Sequence, residues 1–304
     1  MACIGKVRRL GYEIGRRLRC RCVPFPTLRR PDRFFLTPLY ACTVLAFPGA
    51  AHAQSLGDKY WIEVSGFWPQ VNSTAQVQNV AYPAIATRID PESDLDLSDR
   101  KVLPAIDAGV RVGHFVIGAE FYALDRSAQQ SVSRTITFDD ATYPVGAAVN
   151  STLDTSIYRL TIGYDLVRQP DLELGLALGA HITKFKLELS GQGTVAGAAV
   201  RSTEARRRSV LAPLPTIGAY GAVELAPRLM LAGRVDWLGL TVEGYHGRLW
   251  NMQAELDYRA FKNVGLGVMY RYVDYRLGVD KDQWTGRVAY RFNGPALVLR
   301  LGFR

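Results

Sequence analysis

After residue 54 the chain repeats an alternation of apolar and polar residues with period two, in stretches of about ten or more residues. That pattern restricts it to extended strands whose two faces meet different surroundings. Leu172, Leu174, Leu176, Leu178, Ala180 and Ile182 form one face, against Glu173, Gly175, Ala177, Gly179 and His181 on the other. Trp250, Met252, Ala254, Leu256 and Tyr258 alternate with Asn251, Gln253, Glu255, Asp257 and Arg259, and Tyr158, Leu160, Ile162, Tyr164 and Leu166 with Arg159, Thr161, Gly163 and Asp165. After residue 54 no uncharged apolar run reaches the roughly 18 to 20 residues of a membrane helix, whereas a tilted strand crosses a bilayer in about 9 to 11.

The same alternation suits a soluble sandwich or a lipocalin-like barrel, so the aromatic residues must arbitrate. They recur at strand ends, as Tyr60, Trp61 and Trp68, Trp250 and Tyr258, Tyr270 and Tyr272, Trp284 and Phe292, in the manner of interfacial girdles. The polar face carries Gly and charges of both signs, which a dry core accepts only when paired. These features predict an all-β, transmembrane, antiparallel up-and-down barrel.

Short turns at 113–114, 168–171, 226–228 and 261–263 alternate with longer polar links at 71–100, 127–152, 190–209, 243–247 and 278–282, the rhythm of periplasmic turns and external loops. Ten strands are expected, near 58–70, 101–113, 114–126, 153–167, 171–189, 210–225, 228–242, 247–260, 262–277 and 283–303. In the last of these the apolar face switches from Trp284, Val288, Tyr290 and Phe292 to Leu297, Leu299, Leu301 and Phe303. A β-bulge at Asn293-Gly294-Pro295 would produce the switch. A turn there, with another pairing within 71–90, would give twelve strands, and the expected range is eight to twelve.

The net charge of +9 is concentrated in residues 1–53, where ten Lys and Arg face only Glu13 and Asp32, so nucleic acid is not the expected partner. All four cysteines (Cys3, Cys20, Cys22, Cys42) lie there too. A basic stretch to Arg33, an apolar run from Phe34 to Phe47 and the small-residue site Ala51-His52-Ala53 have the three parts of a secretory signal. The expected division is a signal peptide at 1–53, cleaved near Ala53, and a barrel domain at 54–304.

The closing alternation Leu297, Leu299, Leu301, Phe303 resembles the C-terminal signal by which outer-membrane barrels are recognised for assembly, although Arg304 follows the aromatic. Thr87 to Leu97, followed by Val110-Arg111-Val112-Gly113-His114, is similar to a segment of proteobacterial proteins of the outer-membrane β-barrel superfamily. The resemblance implies a Gram-negative outer-membrane location, lipid and lipopolysaccharide as surroundings, and the barrel-assembly machinery as a partner through Phe303. It implies no catalytic residues.

Expected inward positions include Glu120, Arg159, Asp165, Glu255, Asp257, Arg259, Arg287 and Arg291, which would pair across a lumen that side chains largely fill. The same charges could instead line a narrow passive pore for small polar solutes. Arg201, Arg206, Arg207 and Arg208 form a basic cluster in the third long link, suited to lipopolysaccharide phosphates. The acidic run Asp90, Glu92, Asp94, Asp96 and Asp99 lacks the glycine-turned spacing of a calcium loop and reads as a solvated external or plug segment. No metal or cofactor site is readable. Among the histidines, His114 reads as a turn residue and His181 as an interior hydrogen-bonding group. His246, near Glu243 and Tyr245, is the one candidate for an outer-rim hydrolase, and it would need a positioned Asp, Glu or Ser. The leading expectation is a non-catalytic structural or envelope-interaction barrel. The pore and the rim hydrolase are the alternatives.

Overall fold

The computed structural model describes residues 55–79, 87–195, 198–200, 206–242, 244–280, 282 and 284–304. The expected signal peptide, its cleavage point and Arg201 lie outside the described residues. In chain order the strands are β1 (Tyr60–Phe67), β2 (Gln70–Asn79), β3 (Leu103–Val112), β4 (Phe115–Ser131), β5 (Ile136–Phe138), β6 (Ala141–Tyr143), β7 (Ala148–Arg168) and β8 (Leu172–Gly191). There follow β9 (Gly193–Val195), β10 (Ala198–Val200), β11 (Arg206–Ala226), β12 (Leu229–Val242), β13 (Tyr245–Arg259), β14 (Val264–Asp280) and β15 (Trp284–Phe303).

The ring runs β1, β3, β4, β7, β8, β11, β12, β13, β14, β15, with every neighbour antiparallel, and the β15–β1 pairing closes it. Strand β2 continues the line of β1 past Trp68-Pro69. Phe67 opposes Ala296 and Gln70 opposes Asn293 in one unbroken register along β15. The pairing within 71–90 that a twelve-strand barrel would use therefore lengthens the first wall strand, and the count stays at ten.

Strands such as β7 and β8, of 21 and 20 residues, are about twice what a bilayer requires. The excess explains the sidedness of the chain. At the end with the short turns, Leu174, Leu176 and Leu178 of β8 face outward, 46–67% exposed, while Gly175 and Ala177 face in. Beyond Ile182 the outward residues become Lys184, Lys186 and Glu188, and the inward ones Phe185, Leu187 and Leu189. The same inversion occurs in β14 between Tyr270 and Asp274 and in β7 between Tyr158 and Ser156. Below the level of inversion the outside suits lipid; above it water is outside and the apolar residues turn in.

That inversion corrects the reading of β15. Its pairing with β14 runs from Val264↔Leu301 to Asp280↔Thr285 with no register shift, so Asn293-Gly294-Pro295 forms no bulge. Tyr290 and Phe292 face inward above the inversion, and Leu297, Leu299, Leu301 and Phe303 face outward below it. Arg287 and Arg291, expected in the lumen, point outward because the face on which they alternate is wet at their level.

Aromatic pairs mark both edges of the lipid band. Phe115 and Tyr164 are 5.2 Å apart at the short-turn end. Phe121 and Tyr158, 4.9 Å apart, and Trp237 and Trp250, 6.3 Å apart, lie at the other. The hairpin at Gly113-His114 is tight, with Gly113 at φ +60°, a conformation that suits glycine in a two-residue turn.

Because β3 begins only at Leu103, the upper wall between β2 and β4 would be open. The acidic segment closes it. Ile89 and Arg100 bridge to Ala75 and Gln70 of β2, and the one-turn helix α1 (Pro91–Asp94) is stapled to both sides. Glu92 accepts a hydrogen bond from the Ser73 hydroxyl at 2.7 Å and pairs with Arg126 at 2.5 Å, while Asp94 pairs with Arg134. These carboxylates are thus occupied as ties to the wall. Above them β10, β9, β6 and β5 form a small sheet, in that order. Ile136, Phe138 and Tyr143 from it pack with Ile89, Leu95 and Leu189 in an apolar cluster at the far end of the barrel.

Candidate functional site

The interior is layered, and the layers follow from which residues each strand turns inward. At the short-turn end, Asp58 pairs with Arg259, and Arg300 pairs with Glu63 at 2.6 Å. Arg111 bridges Asp165 at 2.7 Å and Glu173 at 2.6 Å. The Tyr220 hydroxyl donates to Asp165 at 2.5 Å. It reaches that carboxylate because its ring crosses Gly163 and Gly175, where any Cβ would collide with it. Further in, Arg159 joins Glu120 at 3.0 Å and Asp236 at 3.1 Å, Glu120 also takes Arg271, and Arg234 donates to Asp236 at 2.9 Å.

Several of these pairs span the lumen. Glu120 on β4 and Arg271 on β14 are separated by three wall strands in one direction round the ring and five in the other. All of Glu120, Arg159, Asp236 and Arg271 are buried, where a charge is tolerable only with partners and their hydrogen bonds. A cavity of about 170 Å³ lies among them, lined in part by Trp61, Glu63, Asp107, Arg234, Gln253 and Glu255.

The expected lumen residues do not all take part. Glu120, Arg159, Asp165 and Arg259 hold the ion pairs described. Glu255 and Asp257 face inward and are buried, but Oε1 of Glu255 and both carboxylate oxygens of Asp257 have no hydrogen-bond partner among the described residues. Arg287 and Arg291 are outside; Arg291 pairs with Asp274 at 2.9 Å on the outer wall. The partners Asp58, Arg111, Glu173, Arg234, Asp236, Arg271 and Arg300 complete the network. Most carried the inward alternation in the sequence, but their pairings cross the ring and leave no local signal.

Above the charges the lumen fills with apolar side chains. Phe67 and Tyr122 each lie 5.9 Å from Phe292. Phe292 lies 5.5 Å from Tyr290, and Phe185 lies 5.6 Å from Tyr290 and 5.3 Å from Tyr275. The edge-on and tilted arrangements are those favoured by ring quadrupoles. Arg271 sits at the boundary, its guanidinium 5.4 Å from the Tyr122 ring centre.

The histidines divide as follows. His181 is buried beneath Tyr275, with Nδ1 unpartnered among the described residues. His114 sits at its turn, Nδ1 3.1 Å from the Asp165 carbonyl oxygen. His246 lies 3.5 Å from Asp280 and 3.2 Å from the Thr241 hydroxyl, on the outer wall and about half exposed. Among the described residues no group of three or more His, Cys, Asp or Glu is placed to hold a metal ion. In the expected lipopolysaccharide cluster, Arg206 pairs with Asp140 at 2.7 Å, Arg207 with Glu188 at 2.7 Å and Arg208 with Asp139 at 2.6 Å. Phe303 faces outward at the short-turn rim, paired with Tyr60 across the closing seam.

Neither a family model nor a curated protein matches the sequence. Among solved structures, the outer membrane protease OmpT from Escherichia coli superposes with a TM-score of 0.54 at 12% identity, covering 80% of this chain and 96% of that one. The toluene transporter TodX of P. putida gives 0.35 at 9% identity, over 81% of this chain and 91% of its own. Ail, the attachment invasion locus protein of Yersinia pestis, gives 0.29 at 11%, over 79% and 99%. At 12% identity the likeness to OmpT is one of fold, and the fold of this chain is that of the outer-membrane β-barrels.

Proposed function

We infer that the protein is a closed, non-catalytic barrel of the outer membrane, a structural and envelope-interaction element with a charge-paired interior. One observation carries this reading. Phe185 of β8 and Tyr290 of β15 stand on opposite sides of the ten-strand ring and meet at 5.6 Å, inside a continuous apolar core. An ion crossing that layer would have to shed its water among packed rings, where the few hydroxyls, such as those of Tyr275 and Tyr290, could not replace its hydration shell. The cavity among the charges lies below the layer, so it is a recess and not a channel. Catalysis at the outer rim has little support: His246 projects from the outer wall with Thr241 and Asp280 as its neighbours, away from both the cavity and the capping sheet. Export through a signal peptide at 1–53 and assembly through the outward Phe303 complete the proposal.

The test is conductance of the refolded mature chain in a planar bilayer. The proposal expects no stable openings from the wild-type protein. Regular, long-lived steps would reject it in favour of the narrow pore.

A further inference from the structure

Outside the barrel, the wall formed by β13, β14, β15 and β2 changes character at the inversion level. Trp250, Tyr270 and Tyr272 mark the edge of the lipid band there. Immediately above them the outward positions are Arg248, Arg276, Arg291 and Arg287. Arg248 opposes Arg276 across β13–β14, Arg291 opposes Asp274 across β14–β15, and Arg287 opposes Gly278, one outward step beyond Arg276. Neighbouring strands are about 4.8 Å apart and diagonal outward neighbours about 7 Å, so Arg276, Arg287 and Arg291 share one patch, with Arg248 at its edge beside Arg276. Asp274 serves both Arg276, at 3.1 Å, and Arg291, at 2.9 Å. Arg248 and Arg287 make no ion pair among the described residues. Between Arg88, Arg276, Arg287 and Arg291 lies a groove of about 640 Å³.

We propose that this outer-wall groove, and not the rim arginines 206–208, is where the barrel docks the phosphorylated headgroup of the outer-leaflet glycolipid. The proposal rests on the membrane level assigned above, and it is independent of whether the lumen is closed. Charge complementarity selects the occupant. The patch carries more guanidinium than carboxylate at the height where an acyl chain lying on Val268, Tyr270 and Leu297 would deliver its phosphates. Arginine also binds phosphate with paired, charge-assisted donors. Arg206, Arg207 and Arg208, by contrast, already each hold a carboxylate.

The experiment titrates the refolded barrel in neutral detergent with rough lipopolysaccharide, with the same lipid after phosphate removal, and with inorganic pyrophosphate. Heat-modifiable gel mobility reports folding. The wild-type protein should prefer the phosphorylated lipid by about tenfold or more. The variant Arg276→Gln/Arg287→Gln/Arg291→Gln should lose that preference, Arg206→Gln/Arg207→Gln/Arg208→Gln should keep it, and Asp274→Asn should bind more tightly. Retention of wild-type affinity by the wall variant, or an equal loss in the rim variant, would overturn the assignment. Pyrophosphate binding as tightly as the lipid would also overturn it, as the mark of a free-phosphate site. Since conductance is measured separately, failure here leaves the closed-barrel reading to stand or fall by itself.

Discussion

The two halves of β14 make opposite use of the same alternation. Toward the short turn, Gly265 and Gly267 face in and Leu266, Val268 and Tyr270 face out; toward the long link, Val273, Tyr275 and Leu277 face in and Asp274 and Arg276 face out. The backbone and its period do not change between them. What changes is the medium on the outside, and the side chains on both faces answer to it. A barrel that stands well above its membrane thus needs two interiors, a polar one where lipid covers the outside and an apolar one where water does.

The largest effect expected from this contrast is on the upper interior. Phe292→Ala should cost about 3–5 kcal/mol in urea unfolding of the lipid-reconstituted barrel, because it opens a cavity among buried rings. Its neighbour Arg291→Ala, half exposed on the outer wall, should cost less than about 1 kcal/mol. Equal losses would break the assignment of faces.

Below the inversion the sensitive face is the outer one. Val268→Arg or Leu176→Arg should cost about 2–4 kcal/mol, since each places a charge against lipid. Lys186→Leu, on the outward face of the same strand as Leu176 but above the inversion, should lie within about 0.5 kcal/mol of wild type. A comparable penalty at both levels would mean that the lipid band is taller than described.

Within the polar interior the two carboxylates Glu120 and Glu255 should behave differently. Glu120→Gln strips a charge from between Arg159 and Arg271 and should cost about 3 kcal/mol. Glu255→Gln should be neutral or stabilising by about 1 kcal/mol, as it removes a buried charge for which the described residues supply no ion pair and only partial hydrogen bonding. A loss of several kcal/mol at Glu255 would reveal a partner in solution that the lumen geometry lacks.

The smallest effect concerns the wall segment outside the membrane. Burial works to raise the Asp94 pKa, but the hydrogen bonds from Arg134 prevail and hold it below the ordinary carboxylate value. With the folded-state value depressed, the pair contributes stability above the unfolded pKa of about 4 and loses it as pH falls through the folded value. The contribution is about 0.5–1 kcal/mol, since Arg134 is partly exposed. Arg134→Gln should therefore lower stability at neutral pH by that amount and leave it unchanged once Asp94 is protonated, flattening the acid limb of the stability profile; an unaltered acid limb would dismiss the pair.

The ten strands were legible because period-two alternation survives the inversion: either medium still demands opposite faces. Which face is inside was not legible above the inversion. Reading apolar as outward throughout sent Arg287 and Arg291 into the lumen and called for a bulge at residues 293–295, whereas the register along β14 is continuous. The strands β5, β6, β9 and β10 fell in links expected to be loops, since three-residue segments are too short to display a period. The acidic run gave no sign that Glu92 and Asp94 would be tied to Arg126 and Arg134. Likewise nothing local marks Glu120 and Arg271, 151 residues apart, as partners.

The most direct test of the inversion uses the absence of cysteine after residue 53, which allows single cysteines to be introduced without background. On the outward face of β8, cysteine replacing Leu176, Leu178, Ile182, Lys184, Lys186 or Glu188 in turn would be labelled in reconstituted vesicles with a water-soluble maleimide. In parallel, each would carry a fluorophore exposed to a lipid-borne quencher. The account predicts quenching without labelling at positions 176 and 178, a change-over between 182 and 184, and labelling without quenching at 186 and 188. Uniform lipid protection along the whole face would contradict it.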